Sequence, residues 1–447
     1  MTISPDRIEE LNALALEHVI PHFANNTMLS TTGPRIFDRG EGCYLYDIHG
    51  NRYLDTFASL LTTICGHHRS EVAQAIIEQL QRLEFFPNYE DAYTVPLIGL
   101  AHKLSQITPG DLNATFFVNS GSEANETALK IARQFHVHNG QPNRYKVIAR
   151  EASYHGTTLG GVSATGLNWF REYFNPLIPG CLFAPPARRN DGGASLKAIV
   201  DLVEREDPKT ISAIIMDPIP GSNTGYPLPP DDYLPAVREL CDKHGIILIF
   251  DEVQTGFGKT GKWFACKHWN VVPDIITLGK GFSGGYVPLG AAVVRKHIAD
   301  SFRAPGKELR SGSTYGGHTI ACAATLANIG IIERDHLVDR ARDMGEYAAS
   351  RLESLHKHRI VADCRGIGLL RAVELMADPK SRTPFPAHQP IGNFIRDWCY
   401  DHGMILRANG SILVIAPALV VTREQIDTIV DYLDQAIAAA MKHFGIV

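Results

Sequence analysis

The chain has 447 residues, 45% hydrophobic and 20% charged, with 39 glycines and 26 prolines. That composition excludes a disordered or low-complexity chain, and the length exceeds what one hydrophobic core usually supports. A net charge of -5, from 43 basic and 48 acidic residues without long blocks, excludes an electrostatic footprint for nucleic acid or an anionic membrane. The expected partner is a small molecule held in the cleft of a two-domain protein.

The N-terminal stretch "MTISPDRIEELNALALEHVIPHF" carries Asp6, Glu9 and Glu10 among its apolar residues, so it reads as a helix and not as a secretion signal. No window reaches the roughly 18 apolar residues of a membrane span. Eight cysteines, Cys43, Cys65, Cys181, Cys241, Cys266, Cys322, Cys364 and Cys399, include no C-x-x-C pair. A zinc site and a disulfide framework are therefore not expected, and a reducing, cytoplasmic setting is.

Glycine-punctuated alternation in "RIFDRGEGCYLYDIHGNRYLD" predicts a short antiparallel meander. Helical patterns follow in "SEVAQAIIEQLQRL" and "VPLIGLAHKLSQI". From Ala114 the short apolar runs "ATFFVN", "YKVIAR", "ISAIIMD", "GIILIFD", "DIITLG" and "GAAVVR" alternate with longer, partly helical stretches. Such runs are strands buried on both faces of a mainly parallel sheet. A helical segment from near His318 leads into a long helix around Asp335 to Lys357. Thereafter "RIVADCRG", "GLLRAVEL" and "SILVIAP" read as strands, and Ile391 to His402 and Thr422 to Phe444 as helices. The expected division is an N-terminal segment at 1–69, a large domain at 70–327 and a C-terminal part at 328–447, with both chain ends forming the smaller domain.

In open α/β sheets ligands lie at the carboxyl ends of the strands, and four such ends carry polar clusters. "FFVNSGSEANETALKIAR" turns through Ser120, Gly121 and Ser122 into a helix, whose N-terminus suits a phosphate; the bland alternative is simple capping. "IIMDPIPGSNTG" leaves Asp217 at a strand end, where an aspartate often bonds its own loop. "LIFDEVQTGFGKTG" delivers Asp251 and Glu252, of which at least one is expected to brace the loop, and no histidine stands at metal-ligand spacing. "ITLGKGFSGG" delivers Lys280, where scarce water can lower an amine's pKa and make it a nucleophile; the bland alternative for a lone lysine is a solvated surface charge. Its Gly279, Gly281 and Gly284 spell G-x-G-x-x-G, yet a strand pattern follows them, which argues against a dinucleotide site. An anion site, a buried carboxylate, a lysine and the aromatic Tyr154 together suit pyridoxal 5'-phosphate.

In order along almost the whole chain, "GCYLYDIHGNRYLD", "FFVNSGSEANETALKIAR", "YHGTT", "LIFDEVQTGFGKTG", "TLGKGFSGGYVPLGA", "GSTYGGHTIACAATLA" and "RGIGLLRAVEL" resemble the class III pyridoxal-phosphate aminotransferases, the ω-aminotransferase group of fold type I. The resemblance implies an α/β fold: a large domain with a mainly parallel seven-stranded sheet covered by helices, plus a smaller α+β domain. It makes Lys280 the Schiff-base lysine and proton shuttle, and Asp251 the partner of the pyridine nitrogen. Val253 and Tyr154 would flank the ring, Gln254 would approach its hydroxyl, and Ser120, Gly121, Ser122 and His155 would complete the cofactor contacts. Thr314 would reach the phosphate of a neighbouring subunit, in a homodimer with shared active sites whose pairing into tetramers stays open.

Arg407 stands where relatives carry a mobile arginine that clamps a keto-acid carboxylate; a strand-edge arginine is the bland alternative. Asp217 occupies a position where many relatives have a glutamate that neutralises this arginine, and its shorter side chain puts that gate in doubt. Leu61 replaces a tryptophan of several amine:pyruvate relatives, which implies a roomier pocket, with Phe85, Phe86 and Tyr89 along its other walls. The expected reaction is ping-pong transfer from an ω-amino acid or primary amine to a keto acid such as pyruvate. A related aminomutase or decarboxylase is the alternative within the same chemistry, and a nicotinamide oxidoreductase the alternative outside it.

Overall fold

A computed structural model describes residues 3–24, 29, 33–189 and 191–446. The N-terminal helix α1 (Pro5–His18) opens on a proline at its first position, with the Ser4 hydroxyl accepting from the Arg7 N–H, as an N-cap should. The meander follows as β1 (Phe37–Glu41), β2 (Tyr44–Asp47) and β3 (Arg52–Asp55), paired antiparallel. The Asp47 carboxylate accepts the His49 and Asn51 N–H groups at 2.9 and 2.8 Å, and Gly50 takes a φ of 87°. That turn chemistry sets the β2–β3 hairpin. Helices α2 (Ser70–Arg82) and α3 (Val95–Ile107) match their sequence patterns.

The central sheet holds β4 (Leu112–Val118), β5 (Lys146–Arg150), β6 (Cys181–Ala184), β7 (Ile211–Met216), β8 (Ile247–Asp251), β9 (Ile275–Leu278) and β10 (Gly290–Arg295), in the order β4-β10-β9-β8-β7-β5-β6. Pairings from β9 to β6 are parallel, whereas β10 runs antiparallel to both β9 and β4. Every residue of β7, β8 and β9 is buried, the condition for strands covered on both faces. Among the covering helices are α4 (Gly121–His138), α5 (Ala194–Arg205) and α6 (Tyr233–His244). Six of the seven strands are visible as apolar runs. The seventh, β6, buries only Ala184, so it leaves no such run to read.

Beyond the sheet come α7 (Thr319–Arg334), capped by the His318 ring, and α8 (Leu337–Leu352), which tightens at Glu353–Lys357 into a 3-10 turn instead of continuing to Lys357. Strands β11 (Val361–Ile367) and β12 (Leu370–Leu375) join β15 (Ile412–Ile415) and β14 (Arg407–Asn409) in a second sheet, after α9 (Ile391–Asp401). The two-residue β13 (Met404–Ile405) adds in parallel to β3, so chain segments from near both ends share one sheet. The final helix α10 (Arg423–His443) begins with a reciprocal capping box between Thr422 and Gln425. Thr422→Ala is expected to lower the unfolding free energy by about 1 kcal/mol, read as a shift in the urea midpoint with unchanged slope.

Candidate active site

Strand β4 is antiparallel to β10, which is antiparallel to β9, so β4 runs in the same sense as β9. The carboxyl ends of β4, β8 and β9 therefore open on one side. There they enclose a cavity of about 180 Å³ lined by Gly121, Ser122, Asn125, Tyr154, His155, Asp251, Val253, Gln254 and Lys280 among others. The sequence clusters at these ends thus converge on one site.

Asp251, the last residue of β8, is nearly closed off from solvent. Its Oδ1 accepts the Val253 N–H at 3.0 Å; its Oδ2 accepts the Asn125 amide at 2.7 Å and His155 Nδ1 at 2.8 Å. Burial pushes the carboxyl up, but hydrogen bonding and charge from His155, together with the Val253 N–H and Asn125, more than offset it and hold it below its usual range. The ionised carboxylate fixes the proton of His155 on Nδ1, leaving Nε2 buried without a protein hydrogen-bond partner. Asn125 is oriented in turn, since its Oδ1 accepts the Thr277 hydroxyl at 2.6 Å and its Nδ2 also donates to the His155 carbonyl. Asn125 and Thr277 belong to the hydrogen-bond network around Asp251, and sequence reasoning missed them. The signal was a buried amide on the first turns of α4, indistinguishable in one sequence from an ordinary helix polar residue.

Lys280 follows β9 after Gly279 and takes a φ of 45°, a left-handed conformation that costs a non-glycine residue about 1–3 kcal/mol. The turn is held by Asn328 of α7, whose amide donates to the Gly281 and Phe282 carbonyls at 3.0 and 3.2 Å. Gly281 lets Ile64 pack close against the turn, since a Cβ there would lie 2.9 Å from Ile64 Cγ2 and force a shift. Burial lowers the Lys280 ammonium to about 8, with Asp251 opposing and Arg407 assisting the shift. The amine stands at the junction of the inner cavity with a wider outer one of about 840 Å³, both of which it lines with Tyr154 and Gln254.

Arg407, the first residue of β14, lines the outer cavity. Its Nη2 donates to Asn223 Oδ1 at a long 3.4 Å, its Cζ lies 5.4 Å from the Phe57 ring centre, and its Nε is buried without a partner. No aspartate or glutamate is among the described residues lining that cavity. Its walls include Leu61 and an aromatic cluster in which Phe23 meets Trp169 and Phe170 at 5.7 and 5.6 Å, and Tyr154 meets Phe170 at 5.1 Å. Leu61 is set by a left-handed turn over Ala58–Leu61, with φ from 43° to 68°, braced where the Asp55 carboxylate accepts the Phe57 and Ser59 N–H groups.

Several expected residues take other places. Ser120 does not line the cavity: its hydroxyl accepts the Glu123 N–H at 3.2 Å, so it caps α4 while Gly121 and Ser122 face inward. Asp217 does not meet Arg407. It pairs with the buried Arg150 at 2.7 Å and accepts the Gly221 N–H at 3.2 Å, because Arg150 at the end of β5 reaches it first. Glu252, by contrast, is where the sequence reading puts one of the two carboxylates: it braces the loop, accepting the Ala265 and Cys266 N–H groups at 2.8 Å each. Phe85, Phe86 and Thr314 line neither cavity of their own chain: Phe85 packs on Tyr315 and His318, Phe86 is half exposed, and Thr314 is exposed. Tyr89 is likewise exposed outside both cavities.

The chain is similar to known proteins along nearly its whole length. The sequence profile of the aminotransferase class-III family matches residues 28–437. A putrescine-pyruvate aminotransferase of Pseudomonas aeruginosa is 34% identical over 98% of this chain and 99% of its own length. An (S)-enantioselective ω-transaminase from Thermomicrobium roseum superposes with a TM-score of 0.94 at 35% identity, covering 97% of this chain and 99% of that one. The ω-transaminase of Pseudomonas jessenii in complex with PMP superposes at 0.93 with 32% identity, covering 97% and 99%. Pyridoxal 5'-phosphate fits the residues present: an ionised buried carboxylate for a protonated ring nitrogen, a helix N-terminus for a phosphate, and an amine of lowered basicity. Gly121 completes the fit, because a Cβ there would come within 2.8 Å of Val253 Cγ1 and close the floor of the cavity.

Competitive acetylation of the cofactor-free protein, read by mass spectrometry, is expected to label Lys280 with a midpoint near pH 8, while exposed lysines follow a midpoint of about 10.4. Because only the neutral amine reacts, labelling rises with pH; a Lys280 midpoint above 10 would contradict the desolvated environment.

Proposed function

The chain belongs to the class-III aminotransferase family, the pyridoxal-phosphate-dependent transaminases, and on that premise we propose that it moves an amino group from a primary amine or ω-amino acid to a keto acid, with pyruvate as acceptor. The observation that carries this reading is the meeting of Lys280, the braced Asp251 and the under-partnered Arg407 around two joined cavities. An aminomutase or decarboxylase would share Lys280 and Asp251 but would need no added keto acid.

Pyridoxal 5'-phosphate, when bound, supplies an aldehyde that captures the amino group and a protonated ring that draws electrons from the reacting carbon. The first turn of α4, with Gly121 and Ser122, would hold its phosphate, and Asp251 would pair with the ring nitrogen. Val253 and Tyr154 would flank the ring, with Gln254 beside it. His155 and Asn125 keep Asp251 ionised and oriented, so its charge is in place before the substrate arrives. Lys280 Nζ, basic but not strongly so, would take a proton from the carbon that bears the amino group and deliver it, within the same half-reaction, to the carbon that had been the aldehyde; the second half-reaction would run that transfer in reverse. Arg407 receives the carboxylate of the keto acid.

The aromatic and leucine walls of the outer cavity favour a donor with a bulky apolar substituent. A second ammonium, such as putrescine carries, would meet Arg407 with no lining carboxylate to neutralise it. The donor we favour is therefore an apolar monoamine. We also propose a homodimer, because α2 and α3 turn Ile77, Leu80, Val95 and Ile98 to solvent beside Leu83, Phe86 and Tyr93, an apolar face of the kind that marks an interface. Such a pairing would bring Thr314, Phe85 and Phe86 to a partner's site. A cytoplasmic setting is consistent with eight unpaired thiols, six of them buried.

Lys280→Ala is expected to abolish both turnover and the visible absorbance of the cofactor-loaded protein, and Asp251→Asn to lower kcat by at least about a hundredfold. In a panel of donors, alanine should form only with added pyruvate, and kcat/KM for bulky apolar monoamines should exceed that for putrescine by about tenfold or more. Turnover of small amino acids alone would sink the substrate reading. Light scattering should give twice the chain mass, with Val95→Asp/Ile98→Asp shifting it toward the monomer.

A further inference from the structure

The loop that follows β7 is pinned from two directions. Asp217, paired with Arg150, accepts the Gly221 N–H at 3.2 Å, while the second sheet holds the far side: Asn409 donates to the Ser222 carbonyl at 2.7 Å, and Arg365 donates to the Thr224 and Gly225 carbonyls at 2.8 Å each. Asn223 lies between these anchors, so its backbone is placed by the fold and its side chain is the part left to interact with Arg407.

We propose that Asn223 is the resting partner of Arg407, a neutral acceptor that keeps the guanidinium in the outer cavity and yields it to the carboxylate of a keto acid. The inference rests on the reading of Arg407 as the carboxylate receiver and adds what sets its availability. Three features carry it. The contact to Asn223 is long at 3.4 Å, the Nε is buried and unpartnered, and no acidic side chain is among the described lining residues. A neutral amide oxygen offers the guanidinium one acceptor and no opposite charge, whereas a carboxylate brings a negative charge and can take two guanidinium N–H groups at once. An arriving carboxylate therefore displaces Asn223, and a donor without one leaves the tether intact. An aspartate at 223 would instead compensate the charge permanently and compete with every incoming anion. Asn223 is a positioning and specificity residue, acting through Arg407.

The probe is propanoate, an unreactive monocarboxylate, titrated calorimetrically into the cofactor-loaded protein and its variants, with thermal midpoints measured to confirm folding. Arg407→Leu should lose at least about tenfold in affinity; if it binds like the parent, the carboxylate role of Arg407 itself fails. Asn223→Asp should also lose about tenfold or more, and KM for pyruvate should rise by a similar factor while kcat at saturation changes much less. Asn223→Ala, which removes the tether without adding charge, should bind within about threefold of the parent or more tightly. The proposal is overturned if Asn223→Asp binds like the parent while Arg407→Leu does not, or if Asn223→Ala loses as much as Asn223→Asp.

Discussion

The buried carboxylate of Asp251 is the constraint around which the site is organised. A lone ionised carboxylate with so little solvent would protonate, because burial disfavours its charge. Three donors prevent this: the Val253 N–H, the Asn125 amide and the His155 ring. Each comes from a different local context, namely the loop after β8, the first turns of α4 and the segment after β5. The sheet must bring those three strand ends together before the carboxylate can stay charged, so the electrostatics of the site depend on the strand order.

The same geometry explains the division of labour between the two cavities. The inner one is built by the central sheet and holds the groups that fit the cofactor, while the outer one is shared with the second sheet through β14. Arg407 therefore lines the outer cavity together with Lys280 from another layer of the fold. Its long contact to Asn223 crosses that boundary. The Arg407 guanidinium is thus kept apart from the Asp251 carboxylate, with Lys280 at the junction of the two cavities.

Much of the site was legible because its residues follow strands directly. Asp251 closes β8, Lys280 follows β9, and Gly121 and Ser122 open α4 just after β4, so each stands at the end of an apolar run where local pattern and the strand-end rule coincide. Ser120 was misplaced because capping and anion binding use the same residue types at one helix start, and only side-chain direction separates them. Asp217 leaves Arg407 alone, as its shorter side chain suggests, and bonds its own loop at Gly221; its ion pair with Arg150 joins two strands and has no local signal. Strand β6 and the short β13 and β14 were invisible because their length and burial leave too little hydrophobic pattern.

The sequence by itself determined which chemical groups stand at which strand ends, and through its ordered motifs the family and its cofactor, since such features are carried by contiguous residues. Only the tertiary structure decided who neutralises whom. The side-chain partners of Asp251 lie 96 and 126 residues away in the chain, and Asn223 lies 184 residues from Arg407. Contacts at that separation depend on strand order and on the packing of one sheet against another. Neither composition nor local periodicity encodes them in a form one chain reveals, because a hydrogen bond at 3 Å is a property of the assembled layers.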